Sequence, residues 1–328
     1  MSFKDVLGHS RPIEQLKRAI QRDKIAHSYL FLGNEGIGKK WVALQFAKAL
    51  NCLDPGIAKG DACDHCSSCK KIGHALHPDV LLIEPIGQGI KKEQILEMQR
   101  GLAYRPYEGK RRVCILTAAD RMAYDIPNTL LKTLEEPPLH TVIVLLATHS
   151  RLILPTILSR CQTIRFNPLP ISMVTKWLIE QKGLKEEEAY LLASLSEGSL
   201  GKALEIQEEI SRVPREDLLK DLLGSKTLSM EEMEFWFNSL PSQREDLLLI
   251  LEVAKTLLRD LVFVKAMKGT RKFIHSDLSK KIEETAMNWS LTSLLKRMEV
   301  LHQTTVAVRA NANTRLALEA MMLRWAEG

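Results

Sequence analysis

Residues Gly33 to Lys40 read "GNEGIGKK", one residue away from the phosphate-binding pattern G-x-x-x-x-G-K-[ST]. In such a loop the backbone N–H groups of Gly36, Ile37, Gly38 and Lys39 can surround phosphate oxygens, and Asn34 and Glu35 complete the turn. Lys39 is placed to reach the outer phosphates. The following position ordinarily carries a hydroxyl that ligates Mg²⁺, and here it is Lys40. Phosphate binding can survive that change, whereas magnesium-assisted phosphoryl transfer cannot use an ammonium. ATP or ADP is therefore an expected ligand without hydrolysis, and no magnesium site is expected in this chain. A bland alternative is that the glycines only shape a strand-to-helix turn.

A second requirement of hydrolysis is a carboxylate pair after the apolar strand "VCIL". Thr117 and Ala118 stand there. Asp120 comes later, in the following turn, where capping of a helix is the expected role. Two independent parts of magnesium chemistry are thus missing.

The other chemistry-bearing group is Cys52, Cys63, Cys66 and Cys69. Two C-x2-C steps and a fourth cysteine at a helix end offer four thiolates, the donor set of a closed structural Zn²⁺ site. His65, His74 and His77 are nearby substitutes. Free structural cysteines prefer burial, and the polar context "CDHCSSCKK" argues for metal. Lys70 and Lys71 leave nucleic-acid contact open, although a solvated charged face explains them equally well.

The elements that must position these groups follow from apolar patterning. "SYLFLG", "DVLLIEP", "RRVCILTAA", "TVIVLLAT" and "QTIRF" are strand-like, and helical stretches separate them. The alternation predicts a parallel sheet of at most five strands covered on both faces. Strand signals stop after "NPLP", and the remainder is helical in pattern. The predicted organisation is α/β plus all-α: a nucleotide-binding-like domain over 1–166 with a zinc module at 52–69, a helical lid over 167–208, and a helical oligomerisation domain over 209–328. The chain has 328 residues, 45% of them hydrophobic and 26% charged, with a net charge of +6. No apolar run approaches the ~20 residues that span a bilayer, and the start lacks a secretory signal, so a cytoplasmic protein is expected.

Together "HSYLFLGNEGIGKK", the four-cysteine insert, "NTLLKTLEEPP", "LLATHSRLILPTILSRCQTIRF" and "NANTRLALEAMMLRW" resemble the clamp-loader branch of the AAA+ ATPases over the whole chain. The resemblance implies a RecA-like sheet, a lid and a C-terminal collar. It also implies assembly with gamma/tau and delta clamp-loader subunits into a hetero-pentamer that places a sliding clamp on primed DNA. Within that branch, active subunits carry G-K-[ST], an Asp-Glu pair, and an arginine in the lid turn. This chain has Lys40, Thr117-Ala118, and Gly201 followed by Lys202. The implied role is therefore a stator of the polymerase holoenzyme that neither hydrolyses ATP nor polymerises DNA. The resemblance makes Arg160, in "SRC", an arginine finger acting in trans on a neighbour's ATP, and Thr148 a polar sensor position. An ATP-hydrolysing motor subunit and a zinc-dependent nucleic-acid adaptor are the rival readings.

Overall fold

The computed structural model describes residues 2–54, 60–87, 89–122, 126–210, 213–222, 240–241, 243–267 and 273–326. The remainder, which includes 55–59 of the cysteine module and parts of the 209–328 region, lies outside the described residues. The chain divides into two compact units, Met1–Leu169 with Ser199–Gly201, and Pro170–Gly198 with Lys202–Gly328.

The first unit is built on strands β1 (Ser28–Leu32), β2 (Val80–Ile83), β3 (Arg112–Leu116), β4 (Thr141–Ala147) and β5 (Gln162–Arg165). They form one sheet in the order β2-β3-β4-β1-β5, with every pairing parallel. The expected five-stranded parallel sheet is therefore present. The period-2 alternation of side chains divides the apolar strand residues between two cores. Tyr29, Phe31, Val113, Ile115, Val142 and Val144 point to one face, which α1 (Ser10–Gln21) and α2 (Lys39–Asn51) cover. Leu30, Leu32, Cys114, Leu116, Ile143 and Leu145 point to the other, which α4 (Lys92–Leu102) and α5 (Ile126–Glu135) cover. A further helix of this unit, α3 (Ser67–Gly73), lies in the cysteine insert. The two central strands β1 and β4 are buried along their whole length, as a sheet packed on both faces requires.

Three helices follow α6 (Pro155–Leu158): α7 (Ile171–Lys182), α8 (Glu186–Leu195) and α9 (Leu200–Glu209). Beyond them are α10 (Arg244–Ala266), α11 (Ser279–Met287), α12 (Leu291–Arg309) and α13 (Thr314–Ala326), and no strand occurs among the described residues of this unit. α10 packs along α12, and α12 along α13. The buried Arg297 guanidinium lies 4.1 Å from the Trp289 ring and 4.8 Å from the Trp325 ring, and it also donates to the Trp325 carbonyl. His275 is wholly buried. It shares a 2.9 Å hydrogen bond between Nε2 and Thr256, its N–H donates to Asp260, and Arg215 lies 3.3 Å from Nδ1. Among the described residues no helix is long and apolar enough to cross a membrane.

Candidate nucleotide and metal sites

The glycine-rich loop leaves β1 at the carboxyl edge of the sheet, where ligands of open α/β sheets bind. The Gly33 N–H donates to Ala147 on β4, and Phe166 donates back to Leu32. A Cβ on Gly33 would lie 2.4 Å from the Phe166 carbonyl oxygen, so only glycine passes this point. Gly38 takes φ 104°, a conformation natural to glycine, and serves as the N-cap of α2. The first N–H groups of the helix therefore open on the loop without a side-chain cap.

Side chains hold the loop from behind. The His9 ring donates from Nε2 to the Ile37 carbonyl at 2.6 Å. The Lys39 ammonium bonds the carbonyls of Gly33 and Asn34, the latter at 2.6 Å. Burial pushes the Lys39 amine down to about 8, against the opposing pull of Asp120 and Glu35. A cleft of about 990 Å³ opens over the loop, lined among others by Lys39, Lys40, Glu84, Thr117, Asp120 and Thr148.

The positions that would serve magnesium are otherwise engaged. Lys40 pairs with Glu84 at 2.8 Å. Thr117 donates its hydroxyl to the Ile83 carbonyl at 3.1 Å. Asp120 corrects an expectation, because it caps no helix. Its carboxylate accepts the Thr148 N–H at 2.7 Å and the Thr148 hydroxyl, tying the end of β4 to the turn after β3. Thr148, expected at a polar sensor position, is thus joined to Asp120. Sequence reasoning also missed Glu84, His9 and Ser199. Ser199 donates to the Glu35 carbonyl at 2.8 Å, and Gly201 donates to the Gly36 carbonyl at 2.9 Å. A Cβ at Gly201 would lie 2.8 Å from the Gly36 Cα, so no arginine fits there in this arrangement.

The cysteine group comes together as the spacing predicts. The sulfurs of Cys52, Cys63, Cys66 and Cys69 lie within 4.8 Å of one another, and Cys63 and Cys69 are 3.9 Å apart. Ligands about 2.3 Å from a tetrahedral ion are separated by about 3.8 Å, so the site fits Zn²⁺. The surface-loop expectation holds only partly. Cys52 and Cys69 are buried, and Cys69 lies in α3, whose N-cap is Cys66. Burial alone would raise the Cys66 thiol, but N–H groups of Leu53 and Cys69 hold its thiolate and bring it to about 6. His77 is buried and accepts from the Asp79 N–H, so it belongs to a different contact. His65 pairs with Asp54 at 3.0 Å beside Cys63. His74 belongs to neither cysteine group.

Residues 8–170 match the profile of the family "DNA polymerase III, delta subunit". The chain is 30% identical over 324 residues to DNA polymerase III subunit delta' of Bacillus subtilis strain 168, covering 97% of this chain and 96% of that one. It belongs to the DNA polymerase III delta-prime family. A gamma/tau subunit of Mycoplasma pneumoniae is 31% identical over 242 residues, but only 72% of this chain and 34% of that protein are covered. A gamma subunit-related structure from Thermotoga maritima superposes with a TM-score of 0.47 at 22% identity, covering 96% and 99% of the two chains.

In this delta-prime family member, Arg160 lies between α6 and β5, one residue beyond the helix C-cap Ser159. Its guanidinium pairs with Glu135 at 2.6 Å and donates to the Thr156 carbonyl at 2.9 Å. Glu135 belongs to the "LLKTLEEPP" motif. The expected finger therefore rests on a carboxylate of its own chain, with about a third of its side chain exposed.

Proposed function

We propose that this chain is the stator subunit of the bacterial clamp loader. On this reading it is a cytoplasmic protein with three functional parts, the nucleotide-binding-like domain at 1–166, the lid at 167–208 and the collar at 209–328. It assembles with gamma/tau and delta subunits, and the assembly places a sliding clamp on primed DNA. The chain does not hydrolyse ATP itself. Arg160 leaves Glu135 in the assembly and completes a neighbour's ATP site, where its guanidinium meets charge developing on the γ-phosphate. Zn²⁺ on the four cysteines closes the 52–69 insert and adds folding energy.

The observation that carries the reading is that Lys40, Thr117 and the nearby Asp120 are each engaged in a contact of their own: Lys40 on Glu84, Thr117 on Ile83, Asp120 on Thr148. A motor would need a hydroxyl and carboxylates there, turned to a metal and water. The deciding experiment reconstitutes the complex from gamma and delta with and without this chain. ATP hydrolysis should be absent from the chain alone and should rise in the complex when the chain is added. Turnover by the purified chain that follows it through successive columns would establish the motor reading instead.

A further inference from the structure

Beside the four-cysteine site a second group of donors meets, and its hydrogen bonding does not balance. The His65 Nδ1 lies 2.8 Å from the Cys63 carbonyl oxygen. A carbonyl only accepts, so that nitrogen carries the ring N–H, and in the neutral ring Nε2 is then a lone pair. Nε2 lies 3.0 Å from the Asp54 carboxylate, which also only accepts. The Cys63 sulfur is the third member, and the three donor atoms lie within 4.8 Å of one another. Electron-pair donors that converge in this way call for a cation between them. The ring is also set as metal-bound imidazoles are. Such a histidine commonly gives its other N–H to a backbone carbonyl, which fixes the tautomer and aims the lone pair.

We infer that Asp54, Cys63 and His65 hold a second divalent cation of zinc-like chemistry, with the Cys63 thiolate shared between it and the ion of the four-cysteine site. This rests on the reading of the four cysteines as a zinc site. Four thiolates around one divalent ion leave a net anion, and Asp54 adds a further negative charge beside it. A second cation offsets both. One sulfur, one imidazole and one carboxylate suit Zn²⁺ or Co²⁺ rather than Mg²⁺ or Ca²⁺. Donors about 2.0–2.3 Å from a tetrahedral ion lie about 3.4–3.6 Å apart, so the farthest of the three close by about 1 Å at most. The His65 side chain is 71% exposed and can turn by that much. Three protein donors leave the fourth position to water, as in open rather than closed zinc sites. Exposure and the missing fourth donor make this ion exchangeable, whereas the four-thiolate ion is retained.

The test takes the full chain without a histidine tag, desalted so that it keeps only tightly held metal. It is titrated at pH 8 with Zn²⁺ by calorimetry and with Co²⁺ by absorption. A second equivalent of Zn²⁺ should bind reversibly and saturate below about 0.1 mM free ion. Co²⁺ should enter the same place and show thiolate-to-cobalt charge transfer, because Cys63 is shared. His65→Ala and Asp54→Asn should each weaken the second equivalent about tenfold or more and remove the cobalt bands, while the first zinc stays. Thermal melts check that both variants fold. Saturation at one equivalent overturns the inference and leaves His65 and Asp54 as an imidazolium–carboxylate pair. Variants that bind like wild type also overturn it. So does cobalt bound without charge transfer, which would put the ion on His65 and Asp54 alone. The two readings fail differently. A desalted chain with no zinc defeats the four-cysteine site and this inference with it, whereas one retained zinc with no second ion defeats the inference alone.

Discussion

Replacing Arg160 by alanine separates a trans-acting group from a local structural one, because the structure gives it a local partner to compare. The guanidinium meets Glu135 at 2.6 Å with 35% of the arginine and 49% of the glutamate side chain exposed. A pair at that exposure contributes about 0.2–1 kcal/mol to stability. Arg160→Ala and Glu135→Ala should therefore lower the stability of the chain by similar small amounts. Their effects on the assembled loader should differ. An arginine acting on a departing γ-phosphate contributes a factor of about 10³–10⁵ at its site, so Arg160→Ala should silence the one site this chain completes. Glu135→Ala should leave it working, since the carboxylate only stores the guanidinium. Arg160→Lys keeps the charge but lacks the planar fork and should recover little. The assay is primer-stimulated ATP hydrolysis by complexes reconstituted with each variant, at matched assembly by gel filtration. Equal losses from Arg160→Ala and Glu135→Ala would reduce Arg160 to one half of an ion pair. Undiminished turnover with Arg160→Ala would leave the chain a scaffold alone.

Protein purified without chelator should carry about one zinc per chain by elemental analysis, and Cys66→Ser should lower both metal content and thermal midpoint. Four freely titratable thiols in the native chain would contradict this. Gly201→Ala places a methyl 2.8 Å from the Gly36 Cα and should cost about 1–3 kcal/mol by denaturant unfolding. A change under about 0.5 kcal/mol would mean that the contact gives way freely. His275, brought to about 4 by burial and by Arg215, is neutral in the fold and protonates near 6.5 when unfolded. Stability is then complete above pH 6.5 and falls as pH drops toward 4, by about 3 kcal/mol at most. Buried Asp260, raised by its own burial, pulls in the opposite direction. Denaturant midpoints at pH 7 and pH 4.5 should therefore differ less in His275→Gln than in wild type, and an equal difference would rule His275 out as the source.

What could be read from the sequence was local. The five strands were legible because each is a short apolar run bounded by glycine, proline or charge, and the glycine loop because it follows one of them directly. The four cysteines were legible because three of them sit within seven residues. The contacts that decide the state of the loop were not, because they join distant segments. Lys40 and Glu84 are 44 positions apart, and Ser199 and Glu35 are 164 apart. Nothing in either local pattern announces the partner. A signal existed for Glu84, which directly follows the end of β2 at the sheet edge where ligand groups gather. For Asp120 the local rule misled. A carboxylate in a turn suggests a cap, but the parallel register of β3 and β4 brings Thr148 to it instead.

That difference bears on how the site is to be understood. Decay of a nucleotide engine would leave exposed or unsatisfied groups where ligands once stood, since nothing selects replacements. Here Lys40, Thr117 and Gly201 are each engaged. Lys40 has a carboxylate, Thr117 a carbonyl, and Gly201 a hydrogen bond to Gly36 at the point where a larger residue would collide. The Lys40 and Gly201 contacts tie the loop region to neighbouring segments, and a loop so tied resists the rearrangement that hydrolysis requires. Rigidity is what a stator needs: a fixed frame from which Arg160 can be presented to a partner whose own loop does cycle. On the proposed reading, loss of turnover and gain of stiffness are therefore one change, made by the same residues.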